Sequence, residues 1–432
     1  MIPRDQHCIS RKNISDGALK VMAQLRRNGH QAYLVGGAVR DLLLGGHPKD
    51  FDVATDATPE EVHAIFRSSR IIGRRFRIVH VRFGREVIEV TTFRGHHDSE
   101  PDTSRGKSQS HQSDQGLLLR DNVFGTLEED AVRRDLTVNA LYYDAANFAV
   151  YDHVHGMQDM LRRSVCIIGD PEVRFREDPV RMLRVARFAA KLEFTVEAET
   201  AAAIPRCAHL LREIPAARLF DEFLKLFSSG YAERTLEQLL EHDLLRYLFP
   251  DSDYEIRQDS VSRGLVEAAM RSTDQRIRDD KPITPAFLLA ALLWPVVDRL
   301  ADQLRDRGDP PMTAMHNAAQ QVIASAVQTL AIPRRFTMPM REIWEFQLRL
   351  QRGNSRKARE LLQNRRFRAA YDFLLLREQA GEETGDVGAF WTEFQTLPEN
   401  QNLPMIDSEE PDDGAGNRPR RRRPRKRRPA TS

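Results

Sequence analysis

The chain has 432 residues, of which 41% are hydrophobic and 30% charged, enough for two to four packed units with a heavily charged surface. The first residues carry no apolar stretch, the run over 286–297 is too short to span a bilayer, and Cys8, Cys166 and Cys207 make no metal-type spacing. These features argue against a secreted, membrane-spanning or cysteine-metal protein and fit a soluble cytoplasmic one. The formal charge of +2 conceals an asymmetry: residues 418–432 hold nine Lys or Arg and no acid, so the other 56 basic and 63 acidic residues leave a body at −7.

In chain order, residues 19–27 read as a helix and 32–35 as a short strand. The turn Gly36-Gly37 then opens a helix over 38–44, which Gly45-Gly46 stops. A glycine turn at a helix start offers bare backbone N–H groups and a positive dipole end to an anion. A strand over 51–54 follows, with Asp50 and Asp52 one residue apart. Alternate residues of an extended chain face the same way. Two same-side carboxylates repel unless a cation sits between them, and hard Mg²⁺ with oxygen ligands is the usual solution. A phosphate site beside a metal site points to nucleotidyl transfer.

Thr58-Pro59-Glu60-Glu61 predicts a capped helix to about residue 68. Alternating segments over 77–83 and 87–93, joined at Gly84-Arg85, read as a hairpin. Glu89 interrupts the otherwise apolar, β-branched second segment. It is either a third metal carboxylate or an edge-strand acid facing water. Residues 96–122 are polar and read as a loop near the site. The compact Arg133-Arg134-Asp135-Leu136-Thr137-Val138-Asn139 offers an arginine fork for phosphate, with Asp135 and Asn139 suited to ribose hydroxyls or the metal surroundings. An ordinary charged surface turn is the competing reading.

From about residue 156 the pattern is helical, over 173–192, 217–229, 234–248, 286–306, 314–330, 338–350 and 355–379. Asp178 and Arg181 stand one turn apart, and Arg184 and Arg187 extend the row. An acceptor and a donor fork at fixed separation can imitate the Watson–Crick partner of a base. The alternative is a solvated salt bridge worth roughly a few tenths of a kcal/mol. Residues 397–417 form a linker with an acidic block. The run Arg420, Arg421, Arg422, Arg423, Arg425, Lys426, Arg427 and Arg428 cannot bury a core, is expected to be disordered and suits RNA. The expected organisation is an α+β head with a mixed sheet (1–155), a helical neck (156–230), a helical body (231–396) and an acidic, then basic, tail (397–432).

Four motifs in this order resemble the class II nucleotidyltransferases of the polymerase β superfamily, which comprise bacterial poly(A) polymerases and CCA-adding enzymes. They are G-G-x-V-R-D at 36–41, D-x-D at 50–52, R-R-D-x-T-x-N-A at 133–140 and E-D-x-x-R-x-L-R-x-x-R-F at 177–188. The resemblance covers roughly residues 30–230. Within the family, G-R-R-F-x-x-x-H at 73–80, the segments 332–336 and 365–373 and the arginine tail are similar to the poly(A) polymerase branch; CCA-adding enzymes more often carry a small-residue G-T-V variant at the first of these. The resemblance implies template-independent addition of AMP from ATP to RNA 3′ ends, including messenger, regulatory and precursor transfer RNA. It implies Mg²⁺ (Mn²⁺ as a substitute) on Asp50 and Asp52, with Glu89 or Asp135 as the third carboxylate. Gly36, Gly37, Arg40 and Asp41 would serve the triphosphate, Arg134 and Asn139 the ribose and phosphates, and Asp178, Arg181, Arg184 and Arg187 the base and its surroundings. A monomer, with RNA-decay or RNA-chaperone proteins as partners, is the accompanying expectation. The rivals are tRNA CCA addition and a non-catalytic RNA-binding protein on the same scaffold.

Overall fold

The computed structural model describes residues 1–73, 77–95, 111–112, 118–120, 124–351 and 355–400. Positions 74–76 of the G-R-R-F motif, most of the polar segment over 96–122, and everything from residue 401, including the basic run, lie outside the described residues.

The head is built on strands β1 (Ala32–Val35), β2 (Asp52–Thr55), β3 (Ser69–Ile72), β4 (Ile78–Phe83) and β5 (Glu86–Thr92). A separate short pair, β6 (His111–Gln112) and β7 (Leu118–Arg120), precedes β8 (Leu141–Tyr143) and β9 (Val150–Asp152). The main sheet has seven strands in the order β3-β4-β5-β2-β1-β8-β9. The β2–β5 pairing is parallel and its neighbours are antiparallel, so the sheet is mixed. Strand β1 is buried along its whole length, as a central strand of β-branched and aromatic residues should be. Helix α1 (Asp16–Arg27) starts at a Ser15 cap and buries Ala18, Val21, Met22 and Leu25, the i, i+3, i+4, i+7 stripe of an amphipathic helix.

Helix α2 (Gly37–Leu43) follows the glycine turn, and α3 (Pro59–Ile65) begins with the Thr58/Glu61 capping box that the sequence predicts. Helix α3 stops at Ile65 rather than near 68. Phe66 turns extended and buries its ring, and residues 69–72 add an edge strand beside β4. Pairing with a neighbour outweighs local helical preference there.

Helices α4 (Leu127–Arg133) and α5 (Gly156–Arg162) lead to α6 (Pro171–Glu177) and α7 (Val180–Leu192). The helix expected over 173–192 is therefore two helices. Asp178 precedes a proline and takes φ −151°, ψ 93°, because a residue before proline is pushed out of the helical region. Next come α8 (Ala198–Cys207) and α9 (Ala216–Phe227), the latter burying Leu219, Phe220, Phe223, Leu226 and Phe227. The body adds α10 (Ala232–Glu241), α11 (Leu245–Leu248), α12 (Pro250–Gln258), α13 (Ser260–Arg278), α14 (Pro285–Asp306), α15 (Pro311–Leu330), α16 (Arg334–Leu350), α17 (Ser355–Leu362), α18 (Phe367–Gln379) and α19 (Val387–Thr396). Asp243, at φ 55°, breaks the single helix expected over 234–248. One apolar core runs from the head into the body. The Trp344 indole donates to the Ala290 carbonyl at its centre, 3.1 Å away. Among the described residues no helix is long and apolar enough to cross a membrane.

Candidate active site

Gly36 caps α2 at φ 73°, ψ −136°, a conformation closed to residues with a Cβ. A Cβ placed there would lie 3.8 Å from Arg134 Nη1 and 4.0 Å from Asp52 Oδ2. The glycine turn, an arginine from beyond α4 and the first residue of β2 thus meet at one corner.

Sheet register brings further groups to that corner. Asp52 is paired with Val35 on β1 and with Glu89 on β5, and Glu89 is paired in turn with His80 on β4. Directly opposed residues share a sheet face. Burial, reinforced by Glu89 and Asp50 and opposed by Arg134, pushes the Asp52 carboxyl up to about 6. Asp50 precedes β2 instead of sharing its pleat, and is exposed. Among the described residues neither the Asp50 nor the Asp52 carboxylate has a hydrogen bond or salt bridge, whereas Glu89 Oε1 lies 3.1 Å from His80 Nε2.

Whether these acids suit a metal turns on their chemistry. All three donors are carboxylate oxygens, the set a hard divalent cation takes. Asp52 lacks a counter-charge of its own and is raised by its acidic neighbour, a conflict that a cation removes. The donors fit such an ion, although among the described residues no three metal-binding side chains already converge on one point.

Arg134 is held from behind. Its Nε donates to the Tyr142 hydroxyl (2.8 Å) and its Nη2 to Asp130 Oδ2 (3.0 Å), while Tyr142 itself donates to Asp130 (2.6 Å). This buried triad leaves Nη1 on the side of the glycine turn. Neither Asp130 nor Tyr142 belongs to the sequence-predicted site. The i, i+4 spacing of Asp130 and Arg134 was the available signal.

Asp135 behaves oppositely to Asp52. Burial alone would raise it, but Arg184 (2.6 Å) and the Leu136 N–H (2.8 Å) hold its carboxyl below the ordinary aspartate value. Arg174 donates to the carbonyls of Arg133 and Arg134, both at 2.6 Å, tying this segment to α6.

The remaining predicted residues divide. Arg40 is 2% exposed, and its guanidinium bonds Asp41 and Asn139 and lies 5.0 Å over the Phe188 ring of α7, facing the head–neck seam. Lys191 adds a 3.3 Å contact to Asp41. The side chains of Asp178 and Arg181 do not bond each other: the Asp178 carboxylate accepts from Arg218 of α9 at 2.7 Å, and the Arg181 guanidinium donates to Glu177 at 2.7 Å. The Arg187 side chain makes no hydrogen bond or salt bridge among the described residues; its guanidinium lies 5.0 Å over the ring of Phe188. Arg218 stands forty residues from its partner, and no local pattern announces it.

Comparison with known proteins starts from the whole chain. Poly(A) polymerase I of Salmonella typhimurium is 47% identical over 428 residues, 98% of this chain and 90% of that protein. The chain belongs to the poly(A) polymerase family. Poly(A) polymerase I of Haemophilus influenzae is 41% identical over 95% of the chain and 91% of its own length. Family models match in three places: "Poly A polymerase head domain" over 32–166, "Probable RNA and SrmB- binding site of polymerase A" over 193–256, and "Polymerase A arginine-rich C-terminus" over 307–428. A CCA-adding enzyme of Bacillus pumilus is 39% identical, but over 56% of the chain. Among solved structures, the Bacillus stearothermophilus CCA-adding enzyme in complex with CTP aligns with TM-score 0.54 and 26% identity, covering 88% of this chain and 81% of that one. A Thermotoga maritima CCA-adding enzyme complexed with tRNA aligns at TM-score 0.60 and 16% identity over 93% and 86%, a likeness of fold. The poly(A) polymerase family thus shares its architecture with the CCA-adding enzymes.

Proposed function

We propose that this poly(A) polymerase family member adds AMP from ATP to the 3′-hydroxyl of RNA without a template. The hydroxyl attacks the α-phosphorus, the bond to the β-phosphate oxygen breaks, and pyrophosphate leaves. Asp50 and Asp52 would hold Mg²⁺, or Mn²⁺ in its place, beside Glu89; the chemistry supplied there is acidification of the attacking hydroxyl and shielding of the leaving phosphates. Glu89 takes the third place in preference to Asp135, whose oxygens are committed to Arg184 and the Leu136 N–H. The turn at Gly36-Gly37 and the free edge of Arg134 receive the triphosphate. Arg187, half-buried near Arg184 and Arg40 and in no salt bridge among the described residues, offers a further anion contact on α7.

Asp178 and Arg181 read the adenine edge, each steadied by its own partner, Arg218 or Glu177. The basic run 418–428 holds RNA by counterion release. Cytoplasmic location, action as a monomer and association with RNA-decay or RNA-chaperone proteins belong to the same reading.

The observation that carries this reading is the Asp52 carboxylate. It is largely buried and unpartnered, and lies against Glu89 and Arg134 at the mouth of the glycine turn. The test supplies purified protein with Mg²⁺, an unstructured RNA and each nucleoside triphosphate separately. Extension with ATP alone is expected. CTP incorporation into tRNA lacking its 3′ end would instead assign the chain to CCA addition, and no incorporation of any nucleotide would assign it to RNA binding alone.

A further inference from the structure

The histidine that ends the G-R-R-F-x-x-x-H motif has no part in the chemistry above, yet it lies in the same cross-sheet row as the acids. The row runs Arg70, His80, Glu89, Asp52 across β3, β4, β5 and β2. We propose that His80 is a positioning residue that fixes Glu89 for cation binding, an inference that rests on Glu89 being the third carboxylate. Glu89 is a flexible, half-exposed side chain beside the unpartnered negative charge of Asp52. Left to itself it would swing away from that charge and into water.

His80 meets Glu89 from the side opposite Asp52, with Nε2 and Oε1 3.1 Å apart. An ionised carboxylate only accepts, so Nε2 carries the proton and donates, whatever the charge of the ring. One oxygen of Glu89 is thereby anchored. Oε2 has no hydrogen bond among the described residues and stays available to the ion. The arrangement is that of an outer partner orienting a ligating carboxylate, a role whose loss costs roughly 10- to 100-fold in metal affinity or activity. A cross-strand pair serving only the sheet would contribute a small increment of stability and nothing to metal affinity.

The full chain tests this with His80→Ala, His80→Gln, Glu89→Ala and the double variant His80→Ala/Glu89→Ala. Free Mn²⁺ is measured by electron paramagnetic resonance without nucleotide, alongside melting temperature, and kcat and KM on a short primer. His80→Ala should weaken Mn²⁺ binding and lower kcat about 10-fold, the lower end of that range, with melting temperature and KM for RNA unmoved. His80→Gln, whose amide nitrogen can stand where Nε2 stood, should restore most of both. In the Glu89→Ala background the histidine change should add nothing, since the two act through one contact. Normal Mn²⁺ binding in His80→Ala with weak binding in Glu89→Ala would overturn the role of His80 and leave Glu89 in place. Additive losses in the double variant would also overturn it. Normal Mn²⁺ binding and turnover in Glu89→Ala would bring down the assignment of Glu89 itself.

Discussion

Asp52 and Asp135 are both largely buried aspartates beside the same arginine-rich seam, yet their surroundings drive them in opposite directions. Asp135 is met by Arg184 and a backbone N–H and is held below its ordinary value; burial, with Glu89 adding more than Arg134 takes away, pushes Asp52 up to about 6. A buried acid whose charge is answered is held as the anion by its neighbours. One whose charge is left unanswered is maintained against the fold's own electrostatics, and such sites are where function concentrates.

The largest effect that could break this contrast comes from Asp52→Asn. AMP addition should fall to background, while the melting temperature is unchanged or higher, because the repulsion with Glu89 is relieved. Ordinary turnover by that protein would remove Asp52 from the chemistry. Asp135→Asn should show the reverse signature: loss of the charged bond to Arg184 costs about 2–3 kcal/mol, visible as an earlier urea midpoint, with activity surviving in the folded fraction. Arg218→Ala sits between the two. It frees Asp178 at small cost in stability, since Arg218 is about one-third exposed, and should relax the preference for ATP over CTP and GTP by roughly 10-fold, the worth of about one hydrogen bond to a charged group. Unchanged nucleotide preference would leave Asp178 a neck residue only. The smallest and most specific effect concerns the last fifteen residues. Deleting 418–432 should weaken RNA binding and flatten its salt dependence while leaving turnover on saturating short primers intact, and an unchanged salt slope would dismiss the tail as an RNA contact.

What could be read from the sequence was local. The capping box at Thr58 and Glu61, the hairpin about Gly84 and the glycine turn at Gly36 each lie within a few residues of their partners, so spacing alone reveals them. Edge strand β3 was not legible, because Ser69–Ile72 becomes a strand only by pairing with β4. Helix α13 escaped for a related reason: its buried face includes small and polar residues, Ala268, Ala269, Thr273 and Asp274, and the neighbouring helices supply the packing that an apolar stripe would have announced. Within the site, motif membership picked out Arg134, Asp135, Asp178 and Arg181 but not what each does. Arg40 lies beside Gly37 of the glycine turn, yet its bonds to Asp41 and Asn139 could not be read from the motif. Asp178 and Arg181 look like a pair one turn apart, yet each is engaged elsewhere. For Asp178 and Asp135 the answering arginine lies forty or more positions away, where no local pattern reaches.

The bonds of Arg40 reach further than the residue itself. By gripping Asn139 and lying on Phe188, it closes the joint between the sheet of the head and helix α7. Parting the two elements there would strip Phe188 from a guanidinium that is now almost wholly shielded from water. A neck helix offering no ring at that height would leave the Arg40 charge answered by Asp41 but without its aromatic cover.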